Sequence, residues 1–242
     1  MSCIKIIIYI ILFFTVIQII RQIFNIINSK SFPVKCNDYK RELIKDTNLP
    51  NILLLGDDSI LGKNLFDCKS NLNIQLSDLV EANIFTYGKE GVKLRYFYDF
   101  IKTQWFDISK QSYDVILISI GYNDVLSSEF DIDSRYFIDI IKLLEPLTTN
   151  IFFISPYDIG SNGLFVIPVS YFINQRANKL YEAINNVTLH NNLKFIDIRK
   201  DIIYHCKGGR YCRIDKGLHL DENGYFVIAR TIANRLNKEG LI

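Results

Sequence analysis

The chain is short of the features that announce several common functions. Its formal net charge is only +2 over 242 residues, and no stripe of Lys/Arg with interleaved aromatics runs through it. A polyanionic partner is therefore not expected, nucleic acid included. It has no Cys-x-x-Cys pair, and His205, Cys206, Cys212 and His219 lack the knuckle spacing of a zinc site. No metal or other cofactor is expected. Internal repeats and low-complexity tracts are absent, which leaves one compact catalytic-size unit. Histidine is scarce at three residues, so each one invites a reason.

Hydrophobic residues are plentiful, and their arrangement divides the chain. Residues 1–30 carry an apolar run, Ile6 to Ile20, free of charge and flanked by Lys5 and Arg21. No small-x-small cleavage site follows it, which predicts an uncleaved signal-anchor. At fifteen residues the uncharged run is slightly short for a span, and the basic residues on its two sides do not decide its orientation. Residues 31–50 read as a linker. From 51 to 242, short Ile/Leu/Phe/Val runs bounded by turn residues alternate with helical periodicity. Strands are expected near 51–55, 83–87, 114–120, 150–155 and 194–198. Helices are expected near 60–66, 92–104, 134–146, 170–188 and 222–238. That alternation predicts a five-stranded parallel sheet with helices on both faces. In such sheets ligands bind outside the carboxyl ends of the strands.

Four segments at those strand ends carry chemistry. The first strand runs into Gly56-Asp57-Asp58-Ser59-Ile60-Leu61-Gly62, where a helix N-terminus offers free N–H groups and a positive potential. The second ends in Gly88-Lys89-Glu90-Gly91, whose bare backbone N–H can approach a ligand closely. The third ends in Gly121-Tyr122-Asn123-Asp124, and an Asn amide is a donor that does not titrate. Last comes Asp215-Lys216-Gly217-Leu218-His219, placed just before a closing helix with Tyr225, Ile228, Ala229, Ile232, Ala233 and Leu236 on one face. A histidine held there suits a general base.

Together these blocks resemble the SGNH/GDSL hydrolase family over roughly residues 51–237. The resemblance implies a three-layer, flavodoxin-like α/β fold and serine ester hydrolysis or O-acyl transfer without a cofactor. It places Ser59 as nucleophile, His219 as base and Asp215 as its orienter, with Gly91 and Asn123 as oxyanion donors. Two blocks depart from the pattern by one residue. Read without gaps, the nucleophile's place after Gly56-Asp57 is held by Asp58, and one step along a helix start turns a side chain by about 100°. The aspartate three before the histidine is replaced by Lys216, with Asp215 four before.

An inserted residue in each loop leaves Ser59, His219 and Asp215 workable. Otherwise Asp58 replaces the serine, making either an inactive carbohydrate- or acyl-binding domain or a carboxylate nucleophile. A membrane-tethered scaffold is the remaining class. The expected ligand, by resemblance, is an ester-bearing small molecule, an O-acetylated envelope glycan or a lipid ester. Cys206 and Cys212 enclose a short loop ahead of His219, and a disulfide there implies an oxidising, extracytoplasmic compartment. Cys36 and Cys68 are a further candidate pair. Asp57 is read as a helix cap, Asp124 as a turn-amide acceptor, His190 as solvated, and Trp105 with Tyr96, Phe97, Tyr98 and Phe100 as helix packing.

Overall fold

A computed structural model describes residues 3–27, 40–62, 65, 70–157, 159–160, 165, 167–206, 213–214 and 219–242. The strands form where the apolar runs stand. β2 (Asn51–Gly56), β3 (Asn83–Gly88), β4 (Val115–Ser119), β5 (Ile151–Ile154) and β6 (Lys194–Ile196) lie parallel to one another. Ile52 to Leu55 and Val115 to Leu117 are wholly buried. Strands covered on both faces read as continuous apolar runs for that reason.

The sheet has six strands, not the expected five. β1 (Lys40–Leu43), within the stretch read as linker, pairs antiparallel with β3 and closes that edge. Its Lys-Arg-Glu-Leu sequence alternates between exposed and partly buried positions, the pattern of an edge strand that keeps its charge in water. The strand order is β1-β3-β2-β4-β5-β6. Counting the parallel strands alone, this is the doubly wound order whose switch point falls between β2 and β4.

Two helical layers cover the sheet. On one side α3 (Leu72–Leu79) packs on α9 (Glu222–Lys238), and α9 on α8 (Arg199–His205). On the other, α4 (Leu94–Ile108) packs on α6 (Ser134–Leu144), and α6 on α7 (Val169–His190). Two short helices, α2 (Asp58–Leu61) and α5 (Tyr122–Leu126), begin at the carboxyl ends of β2 and β4. The expected face of α9 is the buried one, from Tyr225 through Leu236. Its start is capped by Asp221, which accepts from the Gly224 N–H at 2.9 Å.

α1 (Cys3–Ile27) is helical, and its side chains, described for residues 5–21, are exposed apart from the partly buried Thr15 and Gln18. Among the described residues no helix is long and apolar enough to cross a membrane.

Candidate active site

Three turns meet at the switch point, and three aspartates tie them together. Asp57 closes the turn after β2 and caps α2 as expected, its Oδ1 accepting from the Ser59 N–H at 2.9 Å. Its Oδ2 crosses to the turn after β4 and accepts from the N–H groups of Gly121 (3.1 Å) and Tyr122 (3.0 Å). Gly121 is required there because its φ is +105° and a Cβ would run into Leu180. Asp124 makes the second tie. Its Oδ2 accepts from the Leu94 N–H at 2.9 Å, joining the β4 turn to the start of α4.

The third tie is Asp58. Its Oδ2 accepts from the Gly91 N–H at 2.9 Å and from Asn123 Nδ2 at 2.6 Å. The two donors anticipated for an oxyanion therefore converge on one point, and a carboxylate oxygen of this chain stands at that point. Gly91 reaches it in a left-handed conformation, φ +71°, which favours glycine. Asn123 Nδ2 also donates to the Val92 carbonyl at 3.3 Å, which fixes the amide orientation.

Ser59 is elsewhere. Its Oγ lies 2.7 Å from Ser119 Oγ and 3.3 Å from the Ser119 carbonyl, on the β4 side of the turn. It lines a small recess with Ser119, Ser155, Tyr122 and Tyr157. The expectation placed Ser59 at the two donors; in the structure Asp58 meets them and Ser59 faces Ser119. Asp58 is the first residue of α2, and the helical turn carries the next side chain, Ser59, away from the donors.

His219 opens the two-residue β8 (His219–Leu220), paired with β7 (Arg213–Ile214). The ring is buried, 5 % exposed, and lies 5.7 Å between centroids from Tyr122, the neighbour of Asn123. α9 follows at once, and its Tyr225 hydroxyl donates to the Asp58 carbonyl at 3.4 Å. The histidine segment is thereby held against the Asp58 turn. Asp215 and Lys216 lie outside the described residues. So do Cys36, Cys68 and Cys212; Cys206 is fully buried and disulfide-bonded. His190 is exposed, its Nδ1 2.7 Å from the Asn186 carbonyl. Phe97 and Phe100 pack in the core and Trp105 against it.

Sequence reasoning did not anticipate Ser119 or the reach of Asp57 and Asp124 across turns. A serine ending an apolar strand at the switch point was the available signal for the first.

Burial raises the pKa of Asp57 to about 7, with the charge of Asp58 adding to it. Burial likewise raises Asp124 to about 6, opposed by the Leu94 N–H. A carboxyl with a raised folded-state pKa keeps its proton in the fold where the unfolded chain has lost it. Its contribution to stability is full below the unfolded value near 4 and is lost as pH rises through about 6 to 7. Denaturant midpoints are therefore expected to fall between pH 5 and pH 8, by a free energy on the order of a few kcal/mol. In Asp57→Asn much of that slope should vanish. A flat profile in the parent protein over this range contradicts the burial argument.

The doubly wound sheet brings three turns together at its switch point, and solved structures share this fold. A member of the lipolytic G-D-S-L family from Veillonella parvula superposes with a TM-score of 0.63 at 17 % identity, over 78 % of this chain and 98 % of that one. A lipase/acylhydrolase from Enterococcus faecalis gives 0.59 at 20 % identity, over 79 % and 97 %. Axe2, an acetylxylan esterase from Geobacillus stearothermophilus, gives 0.58 at 17 % identity, over 77 % and 94 %. No family model matches the sequence, and no curated protein does. The chain has the fold of the SGNH/GDSL hydrolases.

Proposed function

We propose that this crevice is a hydrolytic centre of the SGNH type in which Asp58, not Ser59, holds the nucleophile position, with Gly91 and Asn123 as donors and His219 as base. The observation that carries this reading is the double hydrogen bond to Asp58 Oδ2. An ester carbonyl needs those donors for the oxyanion formed on attack. Here an anion of the protein already has them, and the hydroxyl of Ser59 is engaged with Ser119. Serine esterase action at Ser59 on a glycan or lipid ester is supported by the names of the similar enzymes. It requires both Asp58 and Ser59 to leave their observed positions.

A second reading, ligand binding without turnover, is favoured by the burial of Asp58, 1 % exposed. Attachment to a membrane through residues 1–30 belongs to the same proposal. Its support is the exposed apolar row Ile6–Phe14 of α1, which water does not tolerate as a free surface. The disulfide at Cys206 supports an oxidising, extracytoplasmic compartment for the crevice.

Turnover of a panel of esters and other hydrolysable electrophiles by the full chain in detergent tests the assignment. Asp58→Asn keeps an acceptor for Gly91 and Asn123 and is expected to lower any turnover roughly 10³-fold or more. Ser59→Ala is expected to change it by less than about tenfold, since it removes only the contact with Ser119. The opposite ranking refutes the reading.

A further inference from the structure

α1 presents its outward surface the wrong way round for water. Ile6 through Phe14, then Val16, Ile17, Ile19 and Ile20, are all exposed. Its polar residues Thr15 and Gln18 are the partly covered ones, and Gln18 Oε1 is buried. With Arg21 they line a cleft of about 740 Å3 whose other wall is Phe165, Ile167 and Pro168 of the domain. The polar stripe of the helix is thus turned to its own domain, and the remaining faces of residues 6–20 are hydrophobic. A helix apolar on all its free faces calls for an apolar medium, because a single packed protein surface covers one side and leaves the others wet.

The start of α7 continues that surface. Ile167 is 77 % exposed, and Tyr171 and Phe172, one turn on, are each 60 % exposed, with ring centroids 5.9 Å apart. α7 follows the loop from the carboxyl end of β5 and runs back to β6, which is parallel to β5. Its first turn therefore stands at the end of the sheet where the crevice opens. Charge identifies the medium. Residues 1–37 contain Lys5, Arg21, Lys30 and Lys35 and no Asp or Glu, a composition that an anionic lipid surface attracts.

We propose that the first turn of α7 is a second membrane contact, which enters together with α1 the surface layer of one leaflet of a bilayer containing anionic lipid. This rests on the reading of residues 1–30 as the attachment. Ile167, Tyr171 and Phe172 lie among the upper acyl chains, and the Tyr171 hydroxyl and the Arg21 guanidinium reach the head groups. α1 enters the leaflet without crossing to the other. Two contacts hold the domain in one orientation where a linker alone would let it turn, and the carboxyl-end rim of the sheet stands beside the head groups.

The test uses the full chain, mixed with lipid in detergent and recovered by detergent removal and flotation on vesicles of phosphatidylcholine with phosphatidylglycerol. Trp105 is the single tryptophan, so Trp105→Phe gives a dark background for a fluorescent probe, Tyr171→Trp. A control probe, Phe106→Trp, stands at the end of α4 far from the crevice, where the parent side chain is 75 % exposed. Both probes replace exposed aromatics and should melt close to the parent by circular dichroism. With lipids brominated in the upper part of their acyl chains, the Tyr171→Trp probe should lose most of its emission and shift to shorter wavelength, and the Phe106→Trp probe should do neither. In phosphatidylcholine alone the loss should be smaller. Equal quenching of the two probes, or none in either, in protein that floats with the vesicles overturns the inference and leaves attachment through residues 1–30 standing. Protein that floats with neither kind of vesicle overturns the attachment as well. If the Tyr171→Trp probe is shielded from the bromines, and Tyr171→Ser with Phe172→Ser abolishes a dimer in detergent, a second copy of the chain covers this surface and the inference falls.

Discussion

Asp57→Ala is expected to unfold the domain or bring it close to unfolding. One carboxylate accepts from three buried N–H groups, those of Ser59, Gly121 and Tyr122, and alanine leaves all three without an acceptor. A buried donor stripped of its partner costs about 1–3 kcal/mol. Relief of a buried charge offsets part of the total. A net loss on the order of 5 kcal/mol remains, comparable with the whole stability of an ordinary domain. Asp57→Asn should cost less, because its amide oxygen serves Gly121 and Tyr122 while the NH2 group faces the Ser59 N–H. Urea unfolding followed by circular dichroism reads both. An alanine variant within about 1 kcal/mol of the parent shows that the tie across the turns is not holding the crevice together.

Asp58→Ala is expected to fold, with a lower melting temperature, and to acquire a site for small carboxylates. The substitution leaves Gly91 N–H and Asn123 Nδ2 aimed at a space of carboxylate size, at a cost of about 2–3 kcal/mol. Formate supplies the missing oxygens. At a concentration one hundred times its dissociation constant a ligand restores about 2.7 kcal/mol, so most of the loss should be recovered. Sodium chloride at equal ionic strength, and the parent protein with formate, are the controls. Asp58→Asn should melt close to the parent. A melting temperature of the alanine variant indifferent to formate means that the two donors do not form a pocket for an anion.

The five parallel strands were readable because strands buried on both faces have to be apolar throughout, and Ile52–Leu55 and Val115–Leu117 obey that demand. β1 was not readable, since an edge strand needs apolar contact on one side only and Lys40-Arg41-Glu42-Leu43 keeps charge on the other. α3, α5 and α8 escaped for a different reason. At eight, five and seven residues they are too short for a 3.6-residue period to stand out. Within the site, the donor roles of Gly91 and Asn123 were suggested by backbone freedom and amide chemistry, and both converge on one oxygen. The placement of Ser59 turned on a single residue in the turn. Sequence spacing offers Asp58 in an ungapped reading and Ser59 with one inserted residue; the hydrogen bonds from Gly91 and Asn123 go to Asp58. Asp57 was read as a helix cap and Asp124 as an acceptor for its own turn's amides because a sequence shows the near amides and not those brought close by the crossing of strands.

The direction of β1 has a consequence for where the crevice points. Lys40, its first residue, is opposite Tyr87 at the carboxyl end of β3, the end at which Gly56 and Gly88 lie side by side. The chain coming from α1 thus enters the domain on the crevice edge of the sheet. However residues 28–39 run, the separation between Ile27 and Lys40 cannot exceed roughly 45 Å, the reach of a fully extended chain. The N-terminal helix and the crevice edge of the sheet are thus joined by a short tether. Were that helix held at a surface, the crevice would sample the surface at a high local concentration, and molecules beyond the tether's reach would come to it by diffusion.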